Sequence, residues 1–215
     1  VVKATNRQTE VKEEQLLALS DFQKRLEAYF QSYPEGHRLY YERRSRQYNS
    51  IVGIEKTRIV TPASLIRSYA SVVLEEPHRT TRSYAALRNM LGKSIFGANH
   101  KLEPYYLAAL ALYRLEYLFR NQALDAKYKP ARYHILLAAR LLMTSARPPA
   151  PTSNLMARYC NEMLETLWDP TKVQALLLRA AESVDKVAGG NFHRDNIRTE
   201  PFTEALKVAC ESATG

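Results

Sequence analysis

The sequence has little cysteine and little glycine, and each shortage excludes a class of protein. Its 215 residues contain two cysteines, Cys160 and Cys210, which lie too far apart in the chain for a thiolate zinc motif. Two cysteines also cannot build the dense disulfide framework of a small secreted domain, so we expect a reducing compartment. Seven glycines are few for a protein built from tight turns and strands, and they favour a mostly helical chain.

Long apolar runs and catalytic motifs are missing as well. No run of about 18 apolar residues and no signal peptide occurs, so we expect a cytoplasmic protein without a membrane partner. The stretch "MLGKSIFG" contains Gly-Lys-Ser but lacks the upstream glycine of a phosphate-binding loop. Adjacent acids such as Glu75 and Glu76 point apart on a helix, unlike the converging carboxylates of a metal-dependent nuclease. We therefore predict no catalytic residue, no metal and no cofactor, and enzymatic activity stays open.

Apolar residues recur at the spacing of helix faces along most of the chain, which predicts a mainly α fold and a multi-helix bundle. Residues 105–119 and 131–143 are apolar on nearly all sides, and such helices belong at the centre of a bundle. A longer amphipathic pattern predicts the first helix at 12–33. Further helices are predicted at 62–76, 80–91, 153–168, 171–188 and 201–210.

Changes in composition divide the chain into four segments. Residues 1–10, which begin without Met, combine a short extended segment with a polar turn, and we expect them to end a preceding domain of a longer protein. Residues 11–147 are predicted to form a helical core domain. Residues 148–152 carry three prolines and form a connector, and residues 153–215 form C-terminal helices that pack on the core.

Positive charge is concentrated in the middle of the chain. The 31 Lys and Arg residues exceed the 22 Asp and Glu residues and give a formal net charge of +9, which favours nucleic acid or acidic surfaces as partners. The stretch "LYYERRSRQYNS" interleaves arginines with tyrosines, a combination that suits phosphate contacts and base stacking. The predicted nucleic-acid-binding residues are Arg38, Arg43, Arg44, Arg46, Lys56, Arg58, Tyr41 and Tyr48.

The same stretch suits a structural role equally well. Arg43 could pair with Glu42 or Glu55 as a clamp, and arginine and tyrosine are also common at protein interfaces. Three functions therefore stay open. The chain could be a non-catalytic domain that binds DNA, RNA or a protein partner, an accessory part of a nuclease whose metal site lies in a missing N-terminal domain, or a scaffold for homo-oligomers.

Several stretches resemble the AIPR (abortive infection phage resistance) family over residues 1 to about 140. They are "VVKATNRQTEVKEEQLLALSDFQKRLE", "LYYERRSRQYN", "KTRIVTPASLIRSYASVVLEEPHR", "IFGANHKLEPYYLAALALYRLE" and "KYKPARYHILLAAR". The resemblance implies a bacterial, cytoplasmic role in antiphage defence, with this chain as the C-terminal region of a protein whose N-terminal region is nuclease-like. It implies no catalytic residue here. The matching positions that carry no assigned role are Tyr41, Glu42, Arg43, Arg44 and Tyr48.

Overall fold

Short polar side chains mark where several helices begin. In the computed structural model, which describes residues 19–213, the Thr61 hydroxyl accepts a hydrogen bond from the Ser64 amide at 3.2 Å. Pro62 follows at the first helical position. Ser83 caps the next helix in the same way through the Ala86 amide, at 3.3 Å. These caps satisfy amide groups that a helix start would otherwise leave without acceptors.

Nine α-helices and a two-stranded sheet make up most of the regular structure of residues 19–213. The helices are α1 (Asp21–Gln31), α2 (Pro62–Val72), α3 (Tyr84–Leu91), α4 (Glu103–Arg120), α5 (Arg132–Met143), α6 (Leu155–Trp168), α7 (Pro170–Ala188), α8 (Arg194–Ile197) and α9 (Glu200–Ser212). The strands β1 (Tyr40–Tyr41) and β2 (Ile59–Val60) pair in parallel. The mainly α fold and the helical bundle predicted from the sequence are confirmed.

Most predicted helices are present, with ends that differ by a few residues. The first begins at Asp21, where the Ser20 hydroxyl accepts a hydrogen bond from the Gln23 amide at 3.4 Å, and it ends at Gln31. Residues 12–18 of its predicted range and the extended segment predicted in residues 1–10 lie outside the described residues. The helix predicted to reach residue 76 ends at Val72, and Glu75 then adopts a left-handed φ of +59°. The sequence pattern did not predict the short sheet or the four-residue helix α8.

Helices α4 and α5 lie at the centre of the described fold, as their all-round apolar sequences predict. α4 contacts α2, α5, α6 and α7, and α5 contacts α2, α4, α7 and α9. Every residue from His134 to Leu141 in α5 is buried. One hydrophobic cluster contains residues from both sides of the proline-rich connector, and the predicted division of the chain at 148–152 stays a prediction.

A buried ion cluster joins three elements that are distant in the chain. The Arg140 side chain in α5 is 1% exposed, and its Nη2 donates to Oε1 of Glu75, in the loop after α2. Nζ of Lys207 in α9 lies 3.2 Å from the second oxygen of the same carboxylate. A charge buried this deeply is tolerated only when it is paired, so the cluster holds α9 and the loop after α2 against α5.

His134 is another polar side chain of α5 that is buried in the core. Its ring meets the Phe202 ring edge-on, with 5.1 Å between the centroids, and its Nε2 has no hydrogen-bond partner within residues 19–213. Burial, assisted by the nearby His78, lowers the pKa of His134 to about 3. The imidazole is therefore neutral in the folded protein at neutral pH.

Glu75→Gln tests the ion cluster, because it leaves the buried Arg140 guanidinium without a charged partner. We expect the free energy of unfolding, measured by urea denaturation, to fall by about 3–5 kcal/mol. Glu204→Gln is the matched control, since it removes the exposed partner of the same Lys207, whose Nζ lies 2.8 Å from Glu204. That change should cost less than about 1 kcal/mol. If both variants lost the same free energy of unfolding, the pair between Glu75 and the buried Arg140 would contribute no more to stability than the exposed pair between Glu204 and Lys207.

The low pKa of His134 predicts a loss of stability in acid. Folding lowers this pKa from 6.5, so in acid the unfolded chain binds a proton that the folded protein does not. The free energy of unfolding is therefore unaffected by His134 above pH 6.5 and falls as the pH drops from 6.5 toward 3. From pH 7 to pH 4 the loss from this one group is on the order of 3 kcal/mol. His134→Leu removes the titrating group, so the plot of unfolding free energy against pH should be flatter for this variant than for the wild type. Parallel plots for the variant and the wild type would contradict the assignment.

Candidate nucleic-acid interface

The predicted basic residues lie along the segment between α1 and β2, and the structure separates them by environment. Arg43 turns toward α1, whereas Arg58 turns toward α4. Arg44, Arg46 and Lys56 are exposed. Within residues 19–213 these three side chains form no ion pair with a carboxylate, unlike Arg43 and Arg58.

Arg43 belongs to a clamp that fastens this segment to α1. Its Nε donates to Oε2 of Glu27 at 2.8 Å, and the two side chains are 12% and 16% exposed. Within residues 19–213 this carboxylate belongs to Glu27 of α1, whereas the sequence suggested Glu42 or Glu55. Gln47 also donates to the Glu27 carboxylate, which therefore holds two points of the segment. The Arg43 part of the predicted cluster has a structural role.

The two tyrosines of the predicted site are buried in the same region. Tyr41 is 1% exposed and Tyr48 is 6% exposed. The Tyr41 hydroxyl donates to Oε1 of Gln23 at 2.6 Å, and the Tyr48 hydroxyl donates to the Tyr41 carbonyl at 3.2 Å. Burial raises the pKa of Tyr48 to about 12. Both rings are covered by protein, so neither is accessible for base stacking in this conformation.

Arg38 and Arg58 both support the turn before β1. Nε of Arg38 donates to the Tyr33 carbonyl at 3.0 Å, and Nη1 of Arg58 donates to the Arg38 carbonyl at the same distance. Arg58 also pairs with Glu55, with 3.0 Å between Nε and Oε2. Its guanidinium carbon lies 5.2 Å from the centroid of the Tyr113 ring, which places this charge against α4.

Two arginines of α4 meet Arg58 at the same ring. The guanidinium carbons of Arg114 and Arg120 lie 5.9 and 5.8 Å from the Tyr113 centroid, and Arg120 lies 5.9 Å from the Tyr117 centroid as well. We call these five residues, Arg58, Arg114, Arg120, Tyr113 and Tyr117, the arginine–tyrosine cluster. Arg120 and Tyr117 are exposed, so the cluster opens to solvent at the C-terminal end of α4.

The charges of this cluster are close enough to perturb each other. Burial and the positive charge of Arg58 lower the pKa of Arg114. Burial, followed by the charges of Arg114 and Arg58, also lowers the pKa of His37. The acid beside them is Glu55, whose pKa is lowered by hydrogen bonds from Thr57 and Arg58 and by the charges of Arg58 and Arg120. Three cations facing one carboxylate leave a local excess of positive charge.

Sequence reasoning missed the α4 half of this cluster. The all-round apolar sequence of α4 predicts a place at the centre of the bundle, and most of the helix is indeed buried. The spacing of Tyr113, Tyr117 and Arg120, at i, i+4 and i+7, nevertheless places these three residues on one face of the helix. That spacing is the signal that could have identified the face.

Residues 19–213 contain neither a cluster of metal-binding side chains nor a membrane-spanning helix. No three His, Cys, Asp or Glu side chains in this range are grouped so that they could hold a metal ion. Nδ1 of His193 and Oδ2 of Asp195 lie 3.4 Å apart at the exposed start of α8, and no third such group within residues 19–213 completes a metal site with them. None of the helices described is long and apolar enough to cross a membrane.

The fold and this surface define a mainly helical domain with a basic face that carries tyrosine. The chain matches the model of the AIPR family, described as AIPR protein, over residues 1–191, and it belongs to this family. Family membership indicates a role in abortive infection, a defence of bacteria against phage. No curated protein matches the chain, and no solved structure matches it.

Arg43→Ala tests the clamp on α1, because it removes a charged hydrogen bond from a largely buried carboxylate. We expect the free energy of unfolding to fall by about 1–3 kcal/mol. Arg44→Ala, at the neighbouring exposed arginine, should change it by less than about 0.5 kcal/mol. Chemical denaturation of both variants measures the difference, and a loss no larger for Arg43 than for Arg44 would remove the structural assignment.

Proposed function

We propose that this part of the AIPR protein binds nucleic acid in the cytoplasm, through a face formed by the arginine–tyrosine cluster and Lys56. The observation that carries the proposal is the convergence of three guanidinium groups within 5.2 to 5.9 Å of the Tyr113 ring. Like charges repel each other, and a polyanion that neutralises them gains binding free energy through the release of its counterions.

The members of this face have different tasks. Arg58 and Arg114 are anchored, because Arg58 donates to backbone carbonyls before β1 and Arg114 donates to the carbonyls of Leu167 and Trp168 at 2.9 and 3.1 Å. They contribute positive charge from fixed positions. Arg120 and Lys56 are exposed and can contact phosphate oxygens directly.

The residues of this face bind nucleic acid, and no catalytic role is proposed for them. Arginine and lysine neutralise phosphates directly, and tyrosine contacts bases through its ring, so the residue types of this face suit binding by themselves. Such contacts do not require a base sequence to be read. We therefore expect binding with little sequence preference and a strong dependence on salt.

A charge reversal on this face tests the proposal. Arg120→Glu plus Lys56→Glu should weaken binding and reduce the slope of log affinity against log salt by about 0.7 for each lost contact with a single strand, or about 0.9 with a duplex. The matched control is Arg179→Glu plus Lys186→Glu on α7, where both residues are exposed and the change in net charge is the same. The measurement is fluorescence anisotropy of labelled DNA and RNA, single-stranded and double-stranded, over a salt series.

The controls separate a local face from net charge alone. Thermal unfolding should show that both double variants remain folded. Absence of wild-type binding to every nucleic acid at low salt would overturn the proposal and leave the face as a protein interface. Equal weakening in the two double variants would also overturn it, because binding would then depend on overall charge.

A further inference from the structure

Tyr117 is unusual among the aromatic residues of this chain. All 14 tyrosines lie within the described residues, and Tyr117, at 46% exposure, is the one among them that is exposed. No phenylalanine or tryptophan in residues 19–213 is exposed either. Every other phenylalanine, tyrosine and tryptophan ring of residues 19–213 is buried or half-buried, whereas Tyr117 is exposed at the edge of the arginine–tyrosine cluster.

The surroundings of Tyr117 match the requirements of a nucleotide. Arg120 lies one turn further along α4, with its guanidinium carbon 5.9 Å from the Tyr117 centroid. A nucleotide pairs a flat base with a phosphate, so an exposed ring beside an exposed guanidinium can contact both parts at once. Arg58 and Arg114 stand behind them around Tyr113 and add positive charge.

We infer that Tyr117 is a stacking platform for an unpaired base, and that the preferred ligand of this face is single-stranded nucleic acid. The inference rests on the proposed function and narrows it. Bases in a duplex are stacked on each other and present only their edges, whereas a single strand offers the flat face of each base to an aromatic ring. An exposed tyrosine gains stacking energy only from the second kind of ligand.

The test uses the 215-residue chain and labelled single strands of roughly 15 nucleotides, which fall within the usual site sizes of such surfaces. A duplex of the same length is measured beside them at one salt concentration. Tyr117→Ala should weaken single-strand binding about 5- to 150-fold, the range that corresponds to the loss of one stacked base. Tyr117→Phe keeps the ring and should stay within about twofold of the wild type.

Two further readouts distinguish stacking from charge and from misfolding. The salt slope should be the same in Tyr117→Ala and the wild type, because the substitution removes no cation. Leu155→Ala, at an exposed apolar residue of α6, is the control for loss of surface area and should leave affinity unchanged. Thermal midpoints should be similar in all three variants.

The outcomes separate this inference from the function on which it rests. If the wild type binds neither single strands nor duplexes, the proposed function itself is wrong. If the wild type binds nucleic acid but prefers the duplex, or if Tyr117→Ala binds single strands as tightly as the wild type, the stacking inference alone is wrong. A large loss in Tyr117→Ala that Tyr117→Phe does not share supports it.

Discussion

The fold depends on how the chain pairs one buried charge. The guanidinium of Arg140 is almost completely removed from water inside α5, and its charged partner is the carboxylate of Glu75, which Lys207 also contacts. Without that pair the burial of Arg140 would cost several kcal/mol. The loop after α2, the central helix α5 and the last helix α9 must therefore meet at one place. Helix α9 lies beyond the residues matched to the family, and it supplies Lys207 to the cluster and Leu206 to the hydrophobic core.

The same scaffold positions the proposed binding face. Helix α4 packs on α2, α5, α6 and α7, so its orientation is fixed by four neighbours. The hydrogen bonds from Arg114 to the carbonyls at the end of α6 fasten the two helices together at the half-buried part of the arginine–tyrosine cluster. Side chains on a packed helix keep their spacing better than side chains on a loop. A strand of nucleic acid would thus meet arginine and tyrosine side chains that the fold already holds in place.

Local patterns in the sequence predicted the helices because their apolar spacing and their caps are properties of neighbouring residues. They also predicted that the segment around Arg43 and Arg58 is basic and rich in tyrosine. They could not predict which partners these residues meet. Arg140 and Glu75 are 65 positions apart, and Arg43 pairs with Glu27, 16 positions before it. Such pairings are set by how helices pack, and no local spacing records them. For that reason the sequence predicts that Tyr41 and Tyr48 stack on bases, whereas the exposed tyrosine in the structure is Tyr117.

The central claim is that nucleic acid binds at the C-terminal end of α4 and the turn at residues 56–58. Hydrogen–deuterium exchange of the chain, with and without a saturating single-stranded oligonucleotide, tests this claim most directly. The account predicts slower exchange in the presence of the oligonucleotide at residues 56–58 and 113–120, with unchanged exchange in α7 and α9. Slower exchange confined to α7 and α9, or no change at residues 113–120 in a complex that has formed, would contradict it.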